Sequence, residues 1–184
     1  ATVKFMETTI SGCTLIEIQP IGDNRGYFAR TFCAEEFERQ GLNPVSAQCS
    51  ISYSATRGTT RGLHFQRGAA MEDKLVRCLK GKIFDVMVDL RLGSPSFGKW
   101  FGQILSEDNN LQLHSVKGFA HGFQTLTDDC IVSYHIAQNY DPELSAGVLW
   151  NDPEIGISWP LDPTEQSARD IHFPKLREFK FDVE

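Results

Sequence analysis

The sequence predicts an all-β fold, an antiparallel sandwich or barrel with two short helices. Three observations carry this. Short runs with two-residue periodicity follow one another at close spacing, turn residues separate them, and only two stretches have a helical pattern.

Residues 14–18 are the first strand candidate. Residues 34–40 are the first helix candidate, with Glu35 and Glu36 in the first turn and Gly41 after the end, as the helix dipole and a C-terminal cap favour. Residues 62–66 are extended, with Gly62, His64 and Gln66 on one face and Leu63 and Phe65 on the other. Residues 74–79 and 83–90 are strands, and Lys80-Gly81 between them reads as a tight hairpin connection. In the second of these, Phe84, Val86, Val88 and Leu90 form an apolar face opposite Asp85 and Asp89, the pattern of a half-buried strand. Strands are also expected over 100–105, 111–115, 122–126 and 130–136. In the last of them Cys130, Val132, Tyr134 and Ile136 share a face. A second short helix is expected to start near Ser167, with Asp170 at capping-box spacing, a place more often held by Glu or Gln. With no repeat, low-complexity tract or linker, residues 1–184 are expected to form one domain.

At 184 residues, 41% hydrophobic and 23% charged, the chain has an ordinary globular composition. Folding at this size buries roughly 70% of the surface that the unfolded chain exposes. No window approaches the roughly 20 apolar residues that would cross a bilayer, so no membrane partner is expected. Residues 1–11 lack a basic segment followed by an apolar run, and a cytoplasmic location is the expectation. A net charge of -6 argues against non-specific nucleic-acid binding. It leaves room for an anionic small ligand, because Arg25, Arg30, Arg57, Arg61, Arg67, Lys74 and Arg77 crowd the first half of the chain. The five cysteines are odd in number and form no C-x-x-C pair, so neither a disulfide framework nor a zinc ribbon is expected.

Two segments point to a pocket. Thr60-Arg61-Gly62-Leu63-His64-Phe65-Gln66 sets Arg, His and Gln in a strand, where they gain nothing unless they line a wet cavity. Gly118-Phe119-Ala120-His121-Gly122-Phe123 frames a histidine with glycines that permit close backbone approach. Small double-stranded barrels often hold a metal on an H-x-H pair, but the position two after His64 is Gln66. No H-x-x-x-H, H-E-x-x-H or cysteine cluster replaces it, so no metal is expected; His64, His121 and a remote carboxylate are the one metal alternative. No G-x-S-x-G elbow supports a serine hydrolase.

Six ordered runs resemble the dTDP-4-dehydrorhamnose 3,5-epimerase family. They are Gly22-Asp23-Asn24-Arg25-Gly26-Tyr27-Phe28, Arg61-Gly62-Leu63-His64-Phe65-Gln66, Lys74-Leu75-Val76-Arg77-Cys78, Ser94-Pro95-Ser96-Phe97-Gly98-Lys99-Trp100, Gly118-Phe119-Ala120-His121-Gly122-Phe123 and Leu149-Trp150-Asn151-Asp152. The resemblance covers residues 21–170 and implies a cupin-type jelly roll, a homodimer, and a cofactor-independent epimerase of nucleotide-diphospho-4-keto-6-deoxy sugars. By resemblance His64 is the base, oriented by Asp170, and Tyr134 is the acid on the opposite face. Lys74 places positive charge near the enolate oxygen. The chemistry needs these types. A proton next to a ketone is weakly acidic, so its removal calls for a positioned base, stabilisation of the enolate and an acid opposite. Without the family, Tyr134 is a core residue, Lys74 a surface lysine and Asp170 a helix-end carboxylate.

Arg25, Arg61 and His121 match positions that hold the diphosphate-nucleoside portion in the family, and arginine forks suit phosphate oxygens. Gln48, Ser50, Arg169 and Arg30 stand at further substrate-binding positions, three of them as departures. Arg30 replaces a family Glu, Gln48-Cys49-Ser50 replaces a Gln-x-Asn triplet, and Arg169 replaces a lysine. A family Glu is replaced near Ser145. A guanidinium in place of an acceptor carboxylate reverses charge and hydrogen-bonding role. A CDP-linked 4-keto sugar is therefore the alternative substrate, and inversion at C3, at C5 or at both stays open. A metal-dependent cupin or a non-catalytic sugar-nucleotide binding module is the third choice.

Overall fold

The structure, a computed structural model, describes residues 2–179; residue 1 and residues 180–184 of the expected 1–184 domain lie outside the described residues. In chain order the elements are β1 (Val3–Glu7), β2 (Cys13–Ile18), β3 (Ile21–Asp23), β4 (Gly26–Phe28), α1 (Ala34–Arg39), β5 (Gln48–Ser54), β6 (Thr60–Gln66), β7 (Lys74–Lys80), β8 (Lys82–Asp89), β9 (Trp100–Ser106), β10 (Leu111–Ser115), β11 (Phe119–Thr125), β12 (Cys130–Ile136), β13 (Ser145–Gly147) and α2 (Ala168–Ile171). One sheet has the order β1-β2-β10-β7-β12-β5 and the other β13-β6-β11-β8-β9. From β5 onward the chain crosses between the sheets at every connection except β8 to β9, which makes the fold a cupin-type jelly roll. Strands β3 and β4 form a separate exposed ribbon.

The crossing corrects the hairpin expected at Lys80-Gly81. Strands β7 and β8 lie in different sheets, and Gly81 is the corner between them. It has φ +83°, and a Cβ there would stand 2.6 Å from Thr127 Oγ1 and 2.7 Å from Cys130 Sγ. The corner lets Val76 and Cys78 of one sheet meet Ile83 and Met87 of the other in a single interior cluster.

Strand β8 also departs from the half-buried pattern. Asp85 and Asp89 are as fully buried as Val86 and Val88. The reason is a second core outside the β6–β11–β8 sheet, where Ile155, Trp159, Leu176 and Phe97 pack on Leu63, Phe65, Val86 and Val88. Asp85 and Asp89 lie on the opposite, inner face with Ile83 and Met87, and Asp89 is satisfied by Arg91 and by the hydroxyls of Ser94 and Ser96. A third cluster joins Phe37 of α1 to Ile16, Ile18 and Leu75 on the outer face of the other sheet.

Beneath α1 lies His114, 2% exposed, its ring edge-on to Phe37 at 5.3 Å and its Nδ1 without a partner among the described residues. Burial pushes its pKa down to about 4. The unfolded chain takes up that proton near 6.5, so the neutral ring stabilises the fold fully above that pH. The contribution is lost as pH falls from 6.5 towards 4, by about 3 kcal/mol. Urea midpoints at pH 7 and pH 4.5 should diverge less in His114→Leu than in the parent. An unchanged divergence would assign the acid sensitivity elsewhere.

Candidate active site

Strand alternation sends selected polar side chains inward. Leu63 and Phe65 of β6 face the outer core, so His64 and Gln66 face the interior. Val76 and Cys78 of β7 and Cys130 and Val132 of β12 are interior residues, which turns Lys74 and Tyr134 the same way. The result is a cleft with two lobes that share His64, Lys74 and Ile136. The inner lobe, about 260 Å³, adds Ser50, Ser52, Arg61, His121, Phe123 and Tyr134. The outer lobe, about 190 Å³, adds Gln48, Glu72, Tyr140, Ser145 and Arg169 among others. His64 and Tyr134 stand on facing sheets, so they approach the cleft from opposite walls.

His64 Nε2 lies 2.7 Å from Asp170 Oδ1, and Nδ1 has no partner among the described residues. Asp170 Oδ2 accepts the Gly62 N–H at 3.0 Å, and Ser167 Oγ accepts the Asp170 N–H at 3.0 Å. The helix-start signal was therefore sound, but the capping-box partner was not. Asp170 is short enough to turn its carboxylate to β6 instead of back to the cap. Burial alone would raise its pKa; the His64 hydrogen bond and charge, with the Gly62 N–H and Ser167, outweigh burial and hold it below the usual carboxylate range. Gly62 lets β6 lie close against β11, since its φ is +118° and a Cβ would stand 2.6 Å from Gly122 Cα and 2.7 Å from His121 O.

Tyr134 packs against the interior apolar cluster while its Oη meets Ser52 Oγ at 2.9 Å. Burial pushes the phenol up to about 12, with the Ser52 hydrogen bond acting in the other direction. Lys74, 8% exposed, pairs with Glu72 at 3.4 Å. Gln66, in place of the second histidine of an H-x-H pair, donates to Glu72 Oε2 at 3.0 Å, to Ala70 O and to Asn139 O, and accepts from the Asp141 N–H. Among the described residues no group of three or more His, Cys, Asp or Glu is arranged to hold a metal ion.

His121 Nε2 meets Asp85 Oδ1 at 2.6 Å deep in the barrel. Burial raises the Asp85 pKa and lowers that of His121 against their mutual attraction, which favours the neutral form of each. Arg61 lines the inner lobe and is steadied by Ser54 Oγ at 3.1 Å and Tyr53 O at 2.8 Å. Gln48 Oε1 accepts the Tyr140 N–H at 2.9 Å, and Arg169 donates to Ser145 Oγ at 2.8 Å.

Nine of the eleven expected site residues thus line one cleft or orient a residue that does. Arg25 and Arg30 do not join them: both are exposed, and Arg25 pairs with Asp23 on the β3–β4 ribbon. Sequence reasoning missed Ser52, Glu72, Asp85 and Tyr140 as site residues. For Ser52 a signal existed: Ser50, Ser52 and Ser54 alternate with Cys49, Ile51 and Tyr53, a strand whose polar face turns inward. Tyr140 carried none, since it precedes Asp141-Pro142 in an ordinary turn context.

A family model described as dTDP-4-dehydrorhamnose 3,5-epimerase matches residues 7–178. A dTDP-4-dehydrorhamnose 3,5-epimerase of Methanothermobacter thermautotrophicus is 43% identical over 181 residues, 97% of each chain. The crystal structure of a dTDP-4-dehydrorhamnose 3,5-epimerase from Bacillus anthracis, with TDP and PPi bound, superposes with a TM-score of 0.92 at 42% identity, covering 95% of this chain and 100% of that one. A dTDP-6-deoxy-D-glucose-3,5-epimerase from Legionella pneumophila, in complex with dTDP-4-keto-L-rhamnose, gives a TM-score of 0.92 at 37% identity, covering 97% of this chain and 95% of that one.

Proposed function

The chain belongs to the dTDP-4-dehydrorhamnose 3,5-epimerase family, and on that premise we propose how its cleft epimerises a dTDP-linked 4-keto-6-deoxyhexose. The observation that carries the assignment is His64, held by Asp170, facing Tyr134 across one cavity from the opposite sheet. His64 Nδ1 removes the proton next to the C4 ketone, and the electron pair moves into the enolate. The Asp170 carboxylate on Nε2 stabilises the imidazolium that forms. The Lys74 ammonium offsets the charge on the enolate oxygen. Tyr134 then delivers its phenolic proton to the other face. A phenol pushed up to about 12 keeps its proton at neutral pH and yields it only to a strong base such as the enolate carbon.

The sugar lies between His64 and Tyr134, and the diphosphate-nucleoside portion runs from Arg61 and His121 of the inner lobe to Arg169 of the outer one. Tyr140, 58% exposed at the rim, offers a ring for the base, while Gln48 orders its backbone. Arg61, His121, Ser50 and Arg169 supply donors for the diphosphate-nucleoside portion. Arg25 and Arg30 reach a cleft only if a second copy supplies it. The β3–β4 ribbon, with Ile21, Tyr27 and Phe28 all more than 60% exposed, has the unpartnered apolar surface of a dimer contact. The preparation should scatter light at twice the mass of one chain; a monomer would remove both arginines from substrate binding. Among the described residues no helix is long and apolar enough to cross a membrane, and a cytoplasmic setting fits five free thiols.

The test is proton NMR in D2O with dTDP-4-keto-6-deoxyglucose and its CDP-linked equivalent. Deuterium entering at C3 and C5 of the dTDP sugar is expected. Exchange with the CDP sugar alone, or at one carbon alone, would change the substrate or the regiochemistry, and no exchange with either would remove the assignment.

A further inference from the structure

Each inversion leaves His64 protonated and Tyr134 as a phenolate. If one bound sugar is inverted at two carbons, Tyr134 must regain its proton while substrate still fills the cleft, so the route cannot run through the cavity. Among the described residues Tyr134 Oη has one hydrogen-bond partner, Ser52 Oγ at 2.9 Å. His121 meets the Tyr134 ring edge-on at 6.0 Å, but its Nε2 is committed to Asp85. Otherwise Tyr134 packs against Val132 and other residues of the interior apolar cluster. Ser52, by contrast, sits on β5, the edge strand of its sheet, and is half-buried between the cleft and solvent.

We propose that Ser52 is a positioning residue and proton relay that recharges Tyr134 between inversions. The proposal rests on the epimerase reading above. The Ser52 O–H bond breaks as the Tyr134 O–H bond forms again, and Ser52 takes a proton from a water molecule. The resulting hydroxide is neutralised by the proton that His64 returns to solvent, so the protein ends each cycle unchanged. While the phenolate exists, the Ser52 hydroxyl donates to it and opposes the cost of a buried negative charge.

The experiment compares Ser52→Ala, Ser52→Val and Ser52→Thr with the parent, using dTDP-4-keto-6-deoxyglucose in D2O. NMR reads two rates: inversion, and deuterium exchange with retention on the His64 side. Valine and threonine have the same shape, so their difference isolates the hydroxyl. The expected result is exchange within about 2-fold of the parent in all three, and inversion lowered by about 10- to 100-fold in Ala and Val with singly inverted sugar accumulating. Threonine should restore inversion to within about 3-fold. Parallel loss of exchange and inversion in Ala and Val would make Ser52 merely structural and overturn the relay, as would unaltered inversion or failure of Thr to restore it. Absence of His64-dependent exchange in the parent is a separate outcome that removes the reaction itself, and the relay with it.

Discussion

His64→Ala should lower epimerisation by about 10³-fold and abolish deuterium exchange at the sugar carbons. The imidazole is the group with a free nitrogen in the cleft and a carboxylate fixed on its other side. Asp170→Asn sharpens the test. An asparagine retains the backbone hydrogen bond to Ser167, and its carbonyl can still accept the Gly62 N–H. Its amide would donate to His64 Nε2, forcing the ring proton onto Nδ1, the nitrogen that must act as base. A loss of about 10²-fold or more, with an unchanged thermal midpoint, is expected from the tautomer alone. Full exchange in His64→Ala would relocate the base, and full exchange in Asp170→Asn would mean that the carboxylate serves only to tie α2 to β6.

Tyr134→Phe should separate the two halves of the reaction. The phenylalanine ring keeps its packing against the interior cluster, so the fold should persist, while the proton on the Ser52 side of the cleft is gone. Inversion is expected to fall by about 10²- to 10³-fold, whereas exchange with retention, which needs only His64, should continue at a rate near that of the parent. An inversion rate equal to the parent's would remove Tyr134 from the mechanism. Loss of exchange in step with inversion would place Tyr134 in binding and leave the acid to be found.

Much of the site was legible in strand parity. In residues 62–66 the apolar Leu63 and Phe65 must face a core, which leaves His64 and Gln66 on a shared polar face, and the structure adds only what that face meets. The same parity put Tyr134 beside Cys130 and Val132, inside the barrel. Parity failed at Asp85 and Asp89, because alternation cannot tell a solvent face from a second buried face whose polar groups have found partners. It also failed at Gly81, where one glycine serves equally well for a hairpin and for a corner between sheets.

By itself the sequence determined the all-β architecture, the inward faces of β6 and β12, and, through six ordered motifs, the family. These depend on local periodicity and on residue order, which are properties of the chain alone. Only the tertiary structure decided that β7 and β8 part company and that Asp170 turns from its own helix to His64. It alone brought Ser52 to Tyr134 and kept Arg25 away from the cleft of its own chain. Each of these is a contact between residues far apart in sequence or a choice between sheets, and such choices are settled by which buried faces and polar groups can satisfy one another in space.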